Sequence, residues 1–180
     1  DYMNPYVYGT TGPTLSGSLY RAYTGVTWTP SDRTRLVVKG GYQVRTYNSS
    51  NFTTQTGPAF QAMLRWQPRT RDTLWVEAVN SINEAYIGSA TATNMQTFSF
   101  NWGHSWLERF RTQTTVAYLN QSYTTSDVTN RTMTAALTGI YTVHQGLWLD
   151  LQYNYTDRSS NSSQYDFTRN LVLISCRAMF

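Results

Sequence analysis

Residues 147–156 read "LWLDLQYNYT", and the side chains divide by parity: Leu147, Leu149, Leu151, Tyr153 and Tyr155 alternate with Asp150, Gln152 and Asn154. A repeat of two is the signature of an extended strand whose successive side chains point to opposite faces. Such a strand separates an apolar medium from a watery one. The last stretch, "NLVLISCRAMF" (170–180), behaves the same way. Val172, Ile174, Cys176, Ala178 and Phe180 carry no charge, whereas the intervening register contains Arg177.

Composition limits what the apolar medium can be. Of the 180 residues 13% are charged and 15% aromatic, and the mean hydropathy of -0.47 comes from Thr, Ser, Asn and Gln rather than from Lys and Glu. No apolar run approaches the roughly 20 residues that a spanning helix needs, which excludes a helical membrane protein. The single cysteine, Cys176, excludes a disulfide framework within the chain and reads as a small apolar side chain. His104 and His144 each sit at or beside a short turn, outside any metal-ligand spacing, so no metal and no cofactor is expected.

Turn signals repeat along the chain. Short polar turns fall at "TPSDRTR" around Pro30, "QPRTRD" around Pro68, "LERFR" around Leu107 and "TVHQGL" around Val143, at spacings of 38, 39 and 36 residues. Longer connections rich in Ser, Thr and Asn lie midway: "NSSNFTTQ", "GSATATN", "TTSDVTN" and "RSSNSSQ". Short turns at one end and long polar loops at the other describe an up-and-down meander of strands of about 10 to 15 residues.

One apolar face runs through all of these strands. It is even-numbered through Tyr20, Val26 and Trp28, then Leu36, Val38 and Tyr42, then Phe60, Leu64 and Trp66, then Leu74 and Val76, then Phe98, Phe100 and Trp102, and less cleanly Val116 and Tyr118. After the loop near residue 127 it becomes odd, through Met133, Leu137 and Tyr141 into Leu147 to Tyr155. A soluble barrel would turn this face inward. An outer-membrane barrel would turn it into lipid and line its lumen with the polar face.

Three features favour the membrane. The loops are asymmetric, as periplasmic turns and extracellular loops are. The tryptophans Trp28, Trp66, Trp75, Trp102, Trp106 and Trp148 lie near the short turns, while Tyr20, Tyr86, Tyr123, Tyr153, Tyr155 and Tyr165 lie toward the longer loops, as two interfacial aromatic girdles would. The strand length suits a tilted crossing of the hydrocarbon layer. The expected fold is therefore all-β, an antiparallel up-and-down transmembrane β-barrel of outer-membrane type, with nine full strands and a partial first strand at residues 1–8. Residues 1–180 are read as a single barrel domain, either a trimmed ten-stranded barrel or the C-terminal part of a larger one.

The motifs of the C-terminal half resemble a known family. "HSWLERFRTQTTVAYLNQSY" (104–123) and "GLWLDLQYNYTDRSSNSSQYDFTRNLVLISCRAMF" (146–180) are similar to the putative beta-barrel porin 2 family. The matching residues are Trp106, Glu108 and Arg109, then Tyr153, Tyr155, Arg158, Ser159, Asn161, Tyr165, Asp166, Arg169 and Asn170. The resemblance implies a bacterial outer-membrane location in a Gram-negative cell, with some relatives tied to exopolysaccharide production or export. The ending resembles the C-terminal signal read by the barrel assembly machinery, here Phe180, Ala178, Cys176, Ile174 and Val172.

Enzymatic chemistry is scarce. No phosphate loop, nucleophile elbow or paired acidic motif occurs, and Glu77, Asp150 and Asp166 are the acids an enzyme reading would have to use. The polar face instead carries a charge pattern: Arg21, Lys39, Arg45, Arg65, Arg169 and Arg177 against Glu77 and Asp150. In a narrow aqueous channel such an excess favours anions. The expected function is a porin-like passage for small or anionic solutes or exopolysaccharide, and the alternative is a closed barrel anchoring a surface assembly. The expected partners are the lipid bilayer, the assembly machinery, and other envelope proteins or copies of itself. Scattered single charges argue against nucleic acid.

Overall fold

The structure is a computed structural model that describes residues 17–48, 53–84, 92–124 and 126–179, with Glu84 described by its backbone alone. Phe180, Tyr86 and the partial first strand expected at residues 1–8 lie outside the described residues. Among the described residues nine antiparallel strands follow one another: β1 (Gly17–Ser31), β2 (Thr34–Tyr47), β3 (Gln55–Trp66), β4 (Asp72–Glu84), β5 (Ala92–Ser105), β6 (Phe110–Tyr123), β7 (Thr129–His144), β8 (Leu147–Ser160) and β9 (Phe167–Ala178). Each pairs with the next in chain order, so β1 and β9 form the two edges of one open sheet. The strands are 12 to 16 residues long, more than the roughly 9 to 11 needed for a tilted crossing.

The repeat seen in the sequence is built into the hydrogen bonding of the short turns. Beyond the strand ladders, Gln67 donates its N–H to the Arg33 carbonyl, Ser105 to Arg71, Thr142 to Arg109 and Met179 to Gly146. Each turn is thus tied to the start of the next. One of the two-residue turns, Gln145–Gly146, needs a positive φ of 87° at Gly146, which glycine adopts at little cost.

The register fixes which side chains share a face. Val26 pairs with Val38, Val38 with Ala62, Leu64 with Val76, Phe100 with Val116, Val116 with Ala135 and Leu149 with Cys176, so the even apolar face of the early strands continues as the odd face of β7 and β8. This face looks outward. Val26 is 69% exposed and Ile174 80%, while Gln43 on the opposite face is 0% exposed and Thr93 2%. A soluble barrel would bury the first pair and expose the second. The inner face is concave, since Arg21 on β1 reaches the Ile82 carbonyl of β4, three strands away, at 3.4 Å.

One seam of the wall is short. β3 pairs with β4 over seven residues on each strand, Phe60–Trp66 against Leu74–Asn80, whereas β3 pairs with β2 over twelve and β4 with β5 over thirteen. Pro58 explains where the ladder stops. Its carbonyl accepts from Asn80 Nδ2 at 2.8 Å, so this side of the residue faces β4, the side on which proline has no N–H to give. Gln43 lies opposite Gly57, which has no side chain to block it, and its amide reaches into the gap. Gln43 Nε2 donates to the Pro58 carbonyl at 3.1 Å, and Gln43 Oε1 accepts from the Ile82 N–H at 3.0 Å. Side chains of β1 and β2 thereby satisfy both main-chain groups of Ile82.

Candidate functional site: the basic inner face

Alternation on β2 places Arg35, Lys39 and Arg45 on the inner face, and the ladder carries that face to Arg65 on β3, which lies directly opposite Arg35. The same register adds Arg21 on β1, Arg111 on β6, Arg158 on β8, and Arg169 and Arg177 on β9. Arg111 pairs across the sheet with buried Ile140 and Arg158 with buried Thr132, which fixes their side. Nine of the fourteen Lys and Arg residues therefore face inward, against two acids among the described side chains, Glu77 and Asp150. The remaining basic residues are Arg33, Arg69, Arg71 and Arg109 in the short turns and Arg131 on the outer face. The basic side chains of the strands are thus concentrated on the inner face, whereas the acids divide between the faces, with Asp72 and Asp157 on the outer register.

The two inner acids are both engaged. Asp150 forms a two-point ion pair with Arg177, Nε to Oδ2 at 2.8 Å and Nη2 to Oδ1 at 3.1 Å. Glu77 accepts from Gln61 Nε2 at 3.1 Å. Asp166, the third acid of an enzyme reading, accepts the Ser160 N–H at 2.6 Å beyond the end of β8. Among the described residues no group of His, Cys, Asp and Glu could hold a metal ion.

Exposure separates the basic residues further. Arg35, Lys39 and Arg65 are exposed on the inner face. Arg45 is not: it is 5% exposed and lies against the Tyr47 ring at 5.7 Å, which corrects the expectation that it faces water. Arg158 sits over the Phe167 ring at 4.9 Å and donates to Thr132 Oγ1 at 3.1 Å. Arg35, Arg111 and Arg158 extend the lining beyond the residues read from the sequence. They have the same parity as their neighbours and lie one or two alternations beyond the stretches used to define each face.

The family follows from the whole chain rather than from the lining alone. The family model for putative beta-barrel porin 2 matches residues 7–180. The chain belongs to that family. This porin-family chain is also similar to three solved structures of OmpT, an outer membrane protein of Vibrio cholerae. The outer-membrane expressed form shares 14% identity at a TM-score of 0.60, with 91% of this chain and 56% of that one covered. The form folded in vitro shares 14% at 0.59, covering 90% and 55%, and a loop L8 deletion mutant shares 15% at 0.60, covering 90% and 53%. At such identity the likeness is one of fold. The chain spans about half the length of these barrels. Among curated proteins none matches it. The protein is a bacterial outer-membrane β-barrel protein, and the medium its apolar face meets is lipid.

The aromatic girdle of this porin-family wall needs a correction. Trp28, Trp66 and Trp102 share the outer face with Leu36, Leu74 and Thr114 respectively. Trp75 does not, because it pairs with Arg65 and Asn101 on the inner face, and Trp148 pairs with Arg177, whose guanidinium lies 6.0 Å from its ring. Nearness to a turn put both in the girdle, but strand parity decides the face. Trp106 lies in the β5–β6 turn and rejoins the outer side by packing edge-on against His104, with ring centroids 4.4 Å apart. His104 Nδ1 lies 2.7 Å from Asp72 Oδ1, which also accepts from Trp102 Nε1 at 3.1 Å. A polar pair is thus held among indoles at the short-turn rim. Val172, Ile174, Cys176 and Ala178 alternate outward on β9, and Phe180, the terminal member of that series, lies outside the described residues.

Proposed function

We propose that this wall lines a pore that passes small anionic solutes in preference to cations, and that an anionic polysaccharide is the largest cargo it would suit. The observation that carries the reading is the inward row of exposed Arg35, Lys39 and Arg65 on two adjacent strands, facing few acids, one of which Arg177 already neutralises. In a channel with low-dielectric walls, fixed charge of one sign concentrates the opposite counter-ion and repels its own. The inner acids are engaged in side-chain contacts rather than set around a nucleophile, which favours passage over catalysis. Residues 1–180 are read as one domain whose free β1 and β9 edges meet further strands, from the same polypeptide or from copies, since edge amides left unpaired in lipid cost several kcal/mol each. The assembly machinery is the partner that would read the alternating end of β9.

Reversal potential in a salt gradient across a planar bilayer tests the reading. A preference for anions is expected, and Arg35→Gln with Arg65→Gln should move the potential toward zero. A channel that prefers cations before any substitution overturns the proposal. A barrel that inserts but does not conduct would favour the closed, anchoring alternative, for which the Asp150–Arg177 brace is the supporting contact.

A further inference from the structure

The short seam between β3 and β4 leaves a cavity of about 300 Å³ on the long-loop side of the wall. It is lined from both faces. Thr56, Asn94 and Ser122 belong to the outward register, while Gln55 and Tyr123 belong to the inward one. Pro58, Gly57 and the Ile82 side chain form its apolar part, and a Cβ built on Gly57 would stand 3.4 Å from Ile82 Cδ1. The cavity therefore occupies the thickness of the wall. It exists because β4 leaves β3 beyond Asn80, and because Gln43, Asn80 and Arg21 take over hydrogen bonds that β3 would otherwise make.

We propose that this gap is a lateral binding site for the uncharged, hydroxyl-bearing head of an amphiphile that enters from the lipid. Among the described residues the lining provides hydroxyls and amides and no charged side chain, so it matches a neutral head that donates and accepts hydrogen bonds better than a phosphate or an ammonium. The volume is at the lower end of the roughly 300 to 1,000 Å³ of ligand pockets, which suits a head group rather than a whole molecule. The outward opening beside Thr56 and Ser122 leaves the tail in the bilayer. Gln43 is the latch: its amide bridges Pro58 and Ile82, two residues of the lining, from the inner face of β2.

The isoleucines make the test direct, because the sequence has four: Ile82 in the cavity, Ile87, Ile140 on the inner face and Ile174 on the lipid face. The protein, labelled at its isoleucine δ1 methyls and held in lipid nanodiscs, is titrated with n-octyl-β-D-glucoside below micellar concentration. Nuclear Overhauser contacts from the glucose ring protons should reach Ile82 and not Ile174, which should meet the octyl chain alone. Gly57→Leu fills the cavity and should abolish the ring contact while leaving the Ile140 methyl shift in place. Should Gly57→Leu fail to fold, Ser122→Leu narrows the same space from β6 and should have the same effect. Ring contacts of equal strength at Ile174 and Ile82, or contacts that survive the filling substitutions in a folded barrel, overturn the proposal.

Discussion

An arginine placed at residue 137 should damage this protein far more than the same residue placed one position later. Leu137 lies seven residues from the end of β7 at His144 and eight from its start at Thr129. With a rise of about 3.4 Å per residue and a tilt of about 45°, each residue climbs roughly 2.4 Å along the membrane normal. Leu137 is then about 17 to 19 Å from either end of its strand, at the middle of an apolar band about 25 Å tall. It is exposed on the outer face between Thr114 and Tyr153. Leu137→Arg should therefore incur nearly the full midplane penalty of about 2 to 4 kcal/mol, a factor of roughly 30 to 1,000 in the folding equilibrium. Thr138 faces inward between Gln113 and Gln152, where a guanidinium finds water and amide oxygens. Thr138→Arg should cost less than about 1 kcal/mol, the usual range for a surface position. Reversible urea unfolding in vesicles, followed by tryptophan fluorescence and by the heat-modifiable gel shift, measures both. Equal losses, or the larger loss at Thr138, would refute the face assignment.

Adjacent glycines on β2 offer a second contrast. A Cβ on Gly41 would stand 1.8 Å from the Ala22 carbonyl whereas one on Gly40 meets nothing within 4 Å, so Gly41→Ala should lower the urea midpoint and Gly40→Ala should leave it nearly unchanged. Asp150→Asn frees the Arg177 charge that Asp150 now neutralises, so the reversal potential should move further toward anions, opposite in sign to Arg65→Gln. Deleting Phe180 should reduce the yield of heat-modifiable barrel in the outer membrane, with the selectivity of the inserted fraction unchanged; a changed selectivity at full yield would rule out an assembly role.

The fold was legible because a wall between lipid and water imposes the same constraint on every strand. Leu149, Leu151 and Tyr153 alternate with Asp150, Gln152 and Asn154 without exception, and no long-range contact is needed to read them. Parity also located most of the inner cations, and it would have given Arg35, Arg111 and Arg158 had each face been followed to the strand end. Other features depend on the third dimension. Arg45 has the parity of an inner-face residue, but it is buried, with its guanidinium against the Tyr47 ring. Trp75 and Trp148 show the limit of placing aromatics by their distance from a turn, since indole tolerates both the lipid rim and an aqueous mouth beside a guanidinium. Pro58 stood in a strand pattern where proline is unusual, a signal of a broken ladder. That β4 would part from β3 there, and that Gln43 would fill the place, could not be read from the residues alone.

The hairpins keep a simple arithmetic. Along each ladder that a short turn joins, even residues pair with even and odd with odd, as in Val26 with Val38 and Leu64 with Val76, up to the register shifts that give Ser31 with Thr34 and His144 with Leu147 beside the two-residue turns. The two changes of parity that run along a whole ladder, Val116 with Ala135 and Leu149 with Cys176, fall across long loops, between β6 and β7 and between β8 and β9. Beside the two-residue turn Asp32–Arg33 the register shifts between Trp28 and Ser31, and the ladder from Trp28 onward then holds one register, in which a slip of one would turn every lipid-facing side chain toward water. The long loops have slack to absorb such a change. A change of length at that end of the molecule therefore costs less than one at the opposite end. For engineering, an epitope or a short binding peptide grafted between Asn161 and Ser162 should be carried to the cell surface without disturbing the wall beneath it.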